Sequence, residues 1–458
     1  MAGPRVIVVG AGPAGVRCAQ TLVEAGLRPI VIDEGRRDGG QIYRRQPEGF
    51  KRSHATLYGS EAAKAQALHS AFDALRAHID YRPETLAWNV AAGRLHVVQG
   101  TRTDALPYDA LVVCSGATDR LMPIDGWNLA GCYSLGGAQI ALKSQAVSIG
   151  ARVAFVGSGP LLYLVASQYL KAGARVEAVL DTSPFALRLR ALPQLAARPG
   201  LLFKGLALVA ALRRARVPLL SGVTPLRIDG SAERGVEGIV VRDARGDTQS
   251  FACDAVALGH HLRPETQLAE LAGCAFEFDG ATRQWLPQFD PDGRSSVRGV
   301  YLAGDGARLL GADGAEDSGR LAALAVLGDL GRAVAPLRVS ALRRRLATMQ
   351  RFRLGLAKAF PWPHVQAAAL PDEAIVCRCE CISAGELRRT VRELGGNELN
   401  RAKAFSRVGM GRCQGRYCGP AAAEVVAHAA SIPIEQVGRL RAQAPVKPLP
   451  IAALEVTE

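Results

Sequence analysis

A short apolar run, a glycine turn and a helical run follow one another twice in this chain, at residues 5–25 and 153–170, and each copy is closed by an apolar run ending in an acid. In the first copy residues 5–9 read as a buried strand, 15–25 as a helix and 27–33 as the next strand. In the second the strand is 153–156, the helix runs to about Leu170 and the closing strand is 176–181. Strand, glycine turn, helix and parallel strand is the opening of a dinucleotide-binding unit. The apolar run 251–258 then reads as a return to the first unit before 299–305, so the expected fold is α/β, with one such unit inserted in the other. The 458 residues give room for two to four domains, and 48% hydrophobic against 21% charged residues exclude a disordered chain.

The first copy carries Gly10-x-Gly12-x-x-Gly15, with Asp33 and Glu34 about twenty residues further on. Gly10 permits the turn, Gly12 lets backbone approach a pyrophosphate, and Gly15 lets helix and strand pack closely, while free N–H groups at the helix start face the phosphates. Glu34, at the very end of the strand, is the first choice for the adenosine ribose hydroxyls and Asp33 the second. The motif does not choose between FAD and NAD.

The second copy is degraded. Gly157-Ser158-Gly159 keeps two glycines, but Leu162 stands where the third belongs and would push helix and sheet apart. Asp181 ends the closing strand, where a carboxylate suits a ribose diol and opposes a 2′-phosphate. NAD(H), another adenine nucleotide and an empty structural pocket stay open, with the last favoured.

Five of the ten cysteines fall late, in Cys377-Arg378-Cys379-Glu380-Cys381 and Cys413-Gln414-Gly415-Arg416-Tyr417-Cys418. Pairs spaced C-x-C and C-x4-C bring four thiolates together, a donor set that suits zinc or an iron-sulfur centre. Glycines around the second pair leave N–H groups free to face sulfur. The other five, Cys18, Cys114, Cys132, Cys253 and Cys274, sit in apolar contexts and read as buried small hydrophobes.

Gly39-Gly40-Gln41, the strand 110–114 running into Ser115-Gly116, and Val300-Tyr301-Leu302-Ala303-Gly304-Asp305-Gly306 together resemble the two-dinucleotide-binding flavoproteins that include the disulfide reductases. The resemblance implies FAD in the first unit, with Gly116 and Gly304 among the cofactor-binding residues, the Asp305 carboxylate near the ribityl and phosphate region, and a helix beneath the isoalloxazine beginning within 311–318. No C-x-x-C occurs in the chain, which argues against the dithiol chemistry of the similar thioredoxin reductases. The late cysteines resemble the bacterioferritin-associated ferredoxin-like [2Fe-2S] module, a small, mainly helical fold. That match implies Cys377, Cys379, Cys413 and Cys418 as ligands and Cys381 as an extra thiol.

Over almost its whole length, and most specifically in Gly39-Gly40-Gln41-Ile42-Tyr43-Arg44 and Met410-Gly411-Arg412-Cys413-Gln414-Gly415, the chain resembles the A or alpha subunits of opine oxidases, hydrogen cyanide synthase and dye-linked proline and D-hydroxyproline dehydrogenases. The resemblance implies an electron-relay role within a heteromeric complex. In it, a partner beta subunit, similar to glycine or D-amino-acid oxidases, would oxidise a C–N bond on its own FAD. An electron acceptor and a small ferredoxin-like subunit complete the set. No catalytic acid or base stands out; His260 and His261, after a glycine, are weak candidates better read as packing or surface residues.

The expected division is 1–117 with 246–335 for FAD, 118–245 for the degenerate unit, a helical linker at 336–371, the [2Fe-2S] module at 372–437 and an extended tail at 438–458. Two helices are expected within 183–216, and a helical run over 321–359 is broken by Phe360-Pro361-Trp362-Pro363. The net charge of +14 is spread through every segment without nucleic-acid motifs, although 188–216 and 343–353 are locally basic. The opening passes from the initiator into a strand, and no long apolar run follows. The chain is therefore expected in the cytoplasm, with any attachment to the inner membrane made through partners.

Overall fold

The computed structural model describes residues 3–49 and 52–454; the end of the expected tail, 455–458, lies outside them. The first unit is a five-stranded parallel sheet in the order Val300–Leu302, Ala110–Val113, Val6–Val9, Ile30–Ile32 and Asp80–Arg82. Successive side chains of a strand point to opposite faces. Val6 and Val8 accordingly pack under the helices Pro13–Glu24 and Gly311–Asp329, while Ile7 and Val9 pack against the antiparallel strands Thr85–Ala91, Arg94–Gln99 and Arg102–Pro107. The two helices touch at a glycine: a Cβ on Gly319 would lie 2.1 Å from the Ala14 carbonyl oxygen.

The second unit is another five-stranded parallel sheet, in the order Leu219–Ser221, Arg175–Asp181, Arg152–Ser158, Ala255–His260 and Cys132–Ser134. This differs from the expected division. The strand read as a return to the first unit pairs instead with Arg152–Ser158, from Val153 opposite Ala255 to Ser158 opposite His260, so the second unit runs past residue 245 to His260. A strand buried on both faces is apolar throughout whichever parallel sheet takes it, and sequence pattern cannot tell the two apart. The chain crosses back through Leu262–Pro264, paired antiparallel with Ala117–Asp119.

The segment 183–216 forms three helices rather than two, Phe185–Arg190, Leu192–Leu195 and Pro199–Arg214. Pro336 does not sit inside a continuous helix but opens a new one, Pro336–Ala359, at the first turn, where its missing N–H costs nothing. After the Phe360 to Pro363 break, a ribbon of Ile375–Cys377 and Ile382–Ser383 leads into Ala384–Leu394, Leu399–Ser406 and Gly419–Ala430. Ser383 and Glu386 cap the first of these reciprocally, and Leu387, Val391, Ala421 and Val425 form the small core. The tail is not merely extended: Val446 is buried against the first unit, its N–H donating to the Trp88 carbonyl at 3.1 Å, and a 3-10 turn follows at Ile451–Leu454.

Candidate functional site

The first glycine turn is closed by sterics. Gly10 has φ +106°, and a Cβ there would stand 2.3 Å from the Cys114 carbonyl oxygen; a Cβ on Gly15 would stand 1.7 Å from the Gly10 oxygen. The Gly39-Gly40 turn lies against the same loop: Gly39 donates to the Ala11 carbonyl at 2.9 Å, and a Cβ on Gly40 would meet the Gly12 Cα at 2.9 Å. Gly304 abuts Ala14 in the same way, while nothing stands within 4 Å of a Cβ placed on Gly116. Bare backbone therefore lines the turn, as close approach of a pyrophosphate requires. Gln41, exposed, receives a hydrogen bond from Arg44 at 2.7 Å.

Asp33 and Glu34 part company. The Asp33 carboxylate accepts the Ala11 N–H and the Gly35 N–H, each at 2.6 Å, so it lies on the glycine turn itself. Burial raises its pKa against those two donors. Glu34 points to the surface and pairs with Lys447 of the tail. Asp305 uses one oxygen, Oδ1, to accept the N–H groups of Leu310 and Gly311 at the start of Gly311–Asp329, leaving Oδ2 without a hydrogen bond among the described residues. Bare turn, carboxylate and free Oδ2 fit FAD.

The second turn keeps the backbone but not the opening. Gly157 and Gly159 hold positive φ, yet the His261 ring stands 3.0 Å from where a Gly159 Cβ would be. Leu162 is fully buried among Phe155, Val165 and Ala166, so the helix Pro160–Lys171 packs on its sheet through this side chain. Asp181 is fully buried and both oxygens are taken, Oδ1 by the Ser183 N–H and Oδ2 by the Tyr163 hydroxyl and Arg188, each at 2.7 Å. The linker covers this region. His261 contacts the Phe360 carbonyl at 2.8 Å, Trp362 meets His260 edge-on at 5.8 Å, and the buried Arg120 guanidinium stacks 3.9 Å from the Trp362 ring. Burial, then the Arg120 charge, pushes the His260 pKa down to about 3, and neither ring nitrogen has a hydrogen-bond partner among the described residues. Both histidines pack the linker.

The late cysteines converge. The Cys418 thiol lies beside both Cys377 and Cys413, and its proximity holds their pKa values down at about 6 and about 5 while its own is pushed up; Cys379 neighbours Cys413. Backbone N–H groups of Gly409 and Glu380 point at the Cys377 sulfur, and those of Tyr417 and Gly415 at Cys413. A Cβ on Gly411 would meet the Cys379 Cβ at 2.2 Å, so only glycine lets the two turns close. Four neighbouring thiols, three of them facing backbone N–H donors, fit an iron-sulfur cluster. Cys377 and Cys418 are buried and Cys379 is exposed; Cys381, with φ +54°, turns its thiol toward the Arg378 carbonyl at 3.9 Å. The five other cysteines are buried and unpaired, as expected.

The two sites are joined by residues the sequence did not flag. Glu265 accepts from Arg416 at 2.5 Å, its N–H donates to the Gly116 carbonyl at 2.9 Å, and its own carbonyl accepts the Ser115 hydroxyl at 2.5 Å. Arg416 also donates to the Cys413 and Val446 carbonyls. Burial raises the Glu265 pKa, but Arg416 and Arg263 outweigh it and hold the carboxyl below its usual range. A second bridge, Arg283 bidentate on Glu424 at 2.9 and 2.8 Å, ties the same module down. Arg416 lies inside a recognisable cysteine motif, whereas no sequence signal points to Glu265.

Residues 4–326 match the pyridine nucleotide-disulphide oxidoreductase family, and residues 375–428 match the BFD-like [2Fe-2S] binding domain. The chain is 37% identical to the opine oxidase A subunit of Rhizobium meliloti over 98% of this chain and 86% of that one. It is 31% identical to hydrogen cyanide synthase subunit HcnB of Pseudomonas aeruginosa over 98% of each. Its fold is similar to the crystal structure of L-proline dehydrogenase from P. horikoshii, with a TM-score of 0.73 and 19% identity over 99% of this chain and 79% of that one.

Proposed function

This chain belongs to the pyridine nucleotide-disulphide oxidoreductase family and, within it, to the group that includes the opine oxidase A subunits and HcnB, and on that footing we propose that it is the electron-relay subunit of a heteromeric dehydrogenase or oxidase acting on the C–N bond of an amino acid, imino acid or opine. The relatives are named as subunits, which supports partner chains. The catalytic partner would be a glycine- or D-amino-acid-oxidase-like FAD protein, with a small ferredoxin-like chain and an electron acceptor beside it.

The observation that carries the reading is Glu265, a single residue that touches the flavin-side turn at Gly116 and, through Arg416, the cysteine loop. FAD takes two electrons and releases them singly, and a [2Fe-2S] cluster carries one at a time. The chain's own residues have holding tasks. Gly10, Gly12, Gly15 and Gly40 would admit the pyrophosphate, Asp33 rather than Glu34 would hold the adenosine ribose, and Asp305 Oδ2 would be available to the ribityl-phosphate region. Cys377, Cys379, Cys413 and Cys418 hold the cluster, while Arg416 keeps its loop against the flavin unit. Asp181, fully buried and ion-paired with Arg188, favours a structural second unit over an NAD(P)H site.

The test is co-purification with a glycine-oxidase-like partner, followed by dye reduction with proline, hydroxyproline, octopine, nopaline, sarcosine and glycine. Activity with one of these in the complex, and none with the chain alone, is expected. Fast anaerobic bleaching of the flavin by NADH or NADPH would instead make the chain a self-contained reductase.

A further inference from the structure

Two locally basic stretches that the relay leaves unused form one helical layer. Pro336–Ala359 packs on Phe185–Arg190 and Leu192–Leu195, closely enough that a Cβ on Gly355 would meet the Gln194 Cβ at 2.9 Å. Neither 182–228 nor 336–359 contains an Asp or Glu. The acids bordering the layer are already matched: Asp181 by Arg188, Asp313 by Arg198 and Glu61 by Lys204, each at 2.7 Å. Arg190, Arg213, Arg214, Arg344 and Arg351 are exposed and make no ion pair among the described residues.

The next helix, Pro199–Arg214, which packs on Pro160–Lys171, is apolar on its outside. Pro199–Arg214 has one fully buried side chain, Leu212, and exposes Phe203 to 67% and Leu206 to 57%. Phe203, Leu206, Ala207 and Ala210 recur at i, i+3, i+4 and i+7, so they form one outward stripe, and Arg213 and Arg214 continue it. Phe185, Leu189 and Leu192 stand exposed on the neighbouring short helices. This inverts the usual amphipathic pattern, in which the apolar stripe faces the core.

We propose that the outer face of Pro199–Arg214 binds the surface of an anionic phospholipid bilayer, with Phe203 and Leu206 entering the acyl boundary and Arg213 and Arg214 lying among the phosphates. Protruding apolar side chains flanked by cations suit an interfacial helix, and a bilayer takes such a face without needing a matching shape. No helix among the described residues is long and apolar enough to cross a membrane, so the contact is peripheral. None of this depends on the cofactors, and the proposal can fail while the relay reading stands.

The test is sedimentation of the full chain, cofactors bound, with vesicles of phosphatidylglycerol and phosphatidylethanolamine. Expected is binding that drops at least tenfold on phosphatidylcholine vesicles, in high salt, in Arg213→Glu with Arg214→Glu, and in Phe203→Ser with Leu206→Ser, all with unchanged flavin and iron content. Failure to sediment with anionic vesicles, or equal sedimentation of the variants, overturns it. So does loss of vesicle binding in the complex together with failure of the Phe203→Ser, Leu206→Ser variant to assemble, which assigns the face to the catalytic partner.

Discussion

Asp33 lies on the glycine turn with both oxygens accepting backbone N–H groups, and Glu34 one residue later is paired on the surface with Lys447. A charge-assisted contact to a ribose is worth about 2 kcal/mol, so Asp33→Ala should weaken FAD retention roughly thirtyfold, measured by flavin absorbance after dialysis, while Glu34→Gln retains it. Position alone cannot order Asp33 and Glu34, because side-chain direction at a strand end is set by the next turn, and here that turn sends Glu34 to Lys447. His260 is another residue whose role is legible only in three dimensions. It is neutral when folded, with a pKa near 3, so unfolded chains bind its proton first as pH falls. Its contribution to stability is complete above about pH 6.5 and is lost progressively toward pH 3, at about 1.4 kcal/mol per pH unit. His260→Phe, which keeps the edge contact with Trp362, should flatten the acid side of a stability-versus-pH curve by one proton; an unchanged slope would refute the assignment.

At the scale of elements, close approach is bought by glycine at Gly15 and Gly319, where an added Cβ would fall within 1.7 and 2.1 Å of backbone oxygen. Gly319→Val should separate the helices Pro13–Glu24 and Gly311–Asp329, costing about 1–3 kcal/mol and loosening FAD, read together from thermal melts and flavin content. The glycine turns and cysteine pairs were readable in advance because their chemistry lies in contiguous residues. The home of the strand Ala255–His260 was not, since burial on both faces erases the difference between two parallel sheets. Nor was the cover that Trp362 and Phe360 form over the second turn, because Pro361 and Pro363 announce only a break and not where it docks.

For the whole molecule, the decisive contact spans residues far apart in the chain. Removing one partner of the Glu265–Arg416 pair leaves a charge in a buried joint, so Glu265→Gln should destabilise the docking of the cysteine module by about 3 kcal/mol. Limited proteolysis near residue 372 should then accelerate. Because the Glu265 pKa is held below its usual value, the joint should be intact above about pH 4.3 and weaken only as pH falls further. The most direct test of the relay is an anaerobic substrate titration of this chain alone and in complex with its catalytic partner, following flavin absorbance and the electron spin resonance of the iron-sulfur centre together. The expected result is that the amine leaves the isolated chain oxidised, reduces both centres in the complex, and fails to reduce the cluster when Cys413 is replaced by Ser. Reduction of the isolated chain by the amine, or a complex whose electrons reach the acceptor undiminished without the cluster, would contradict it.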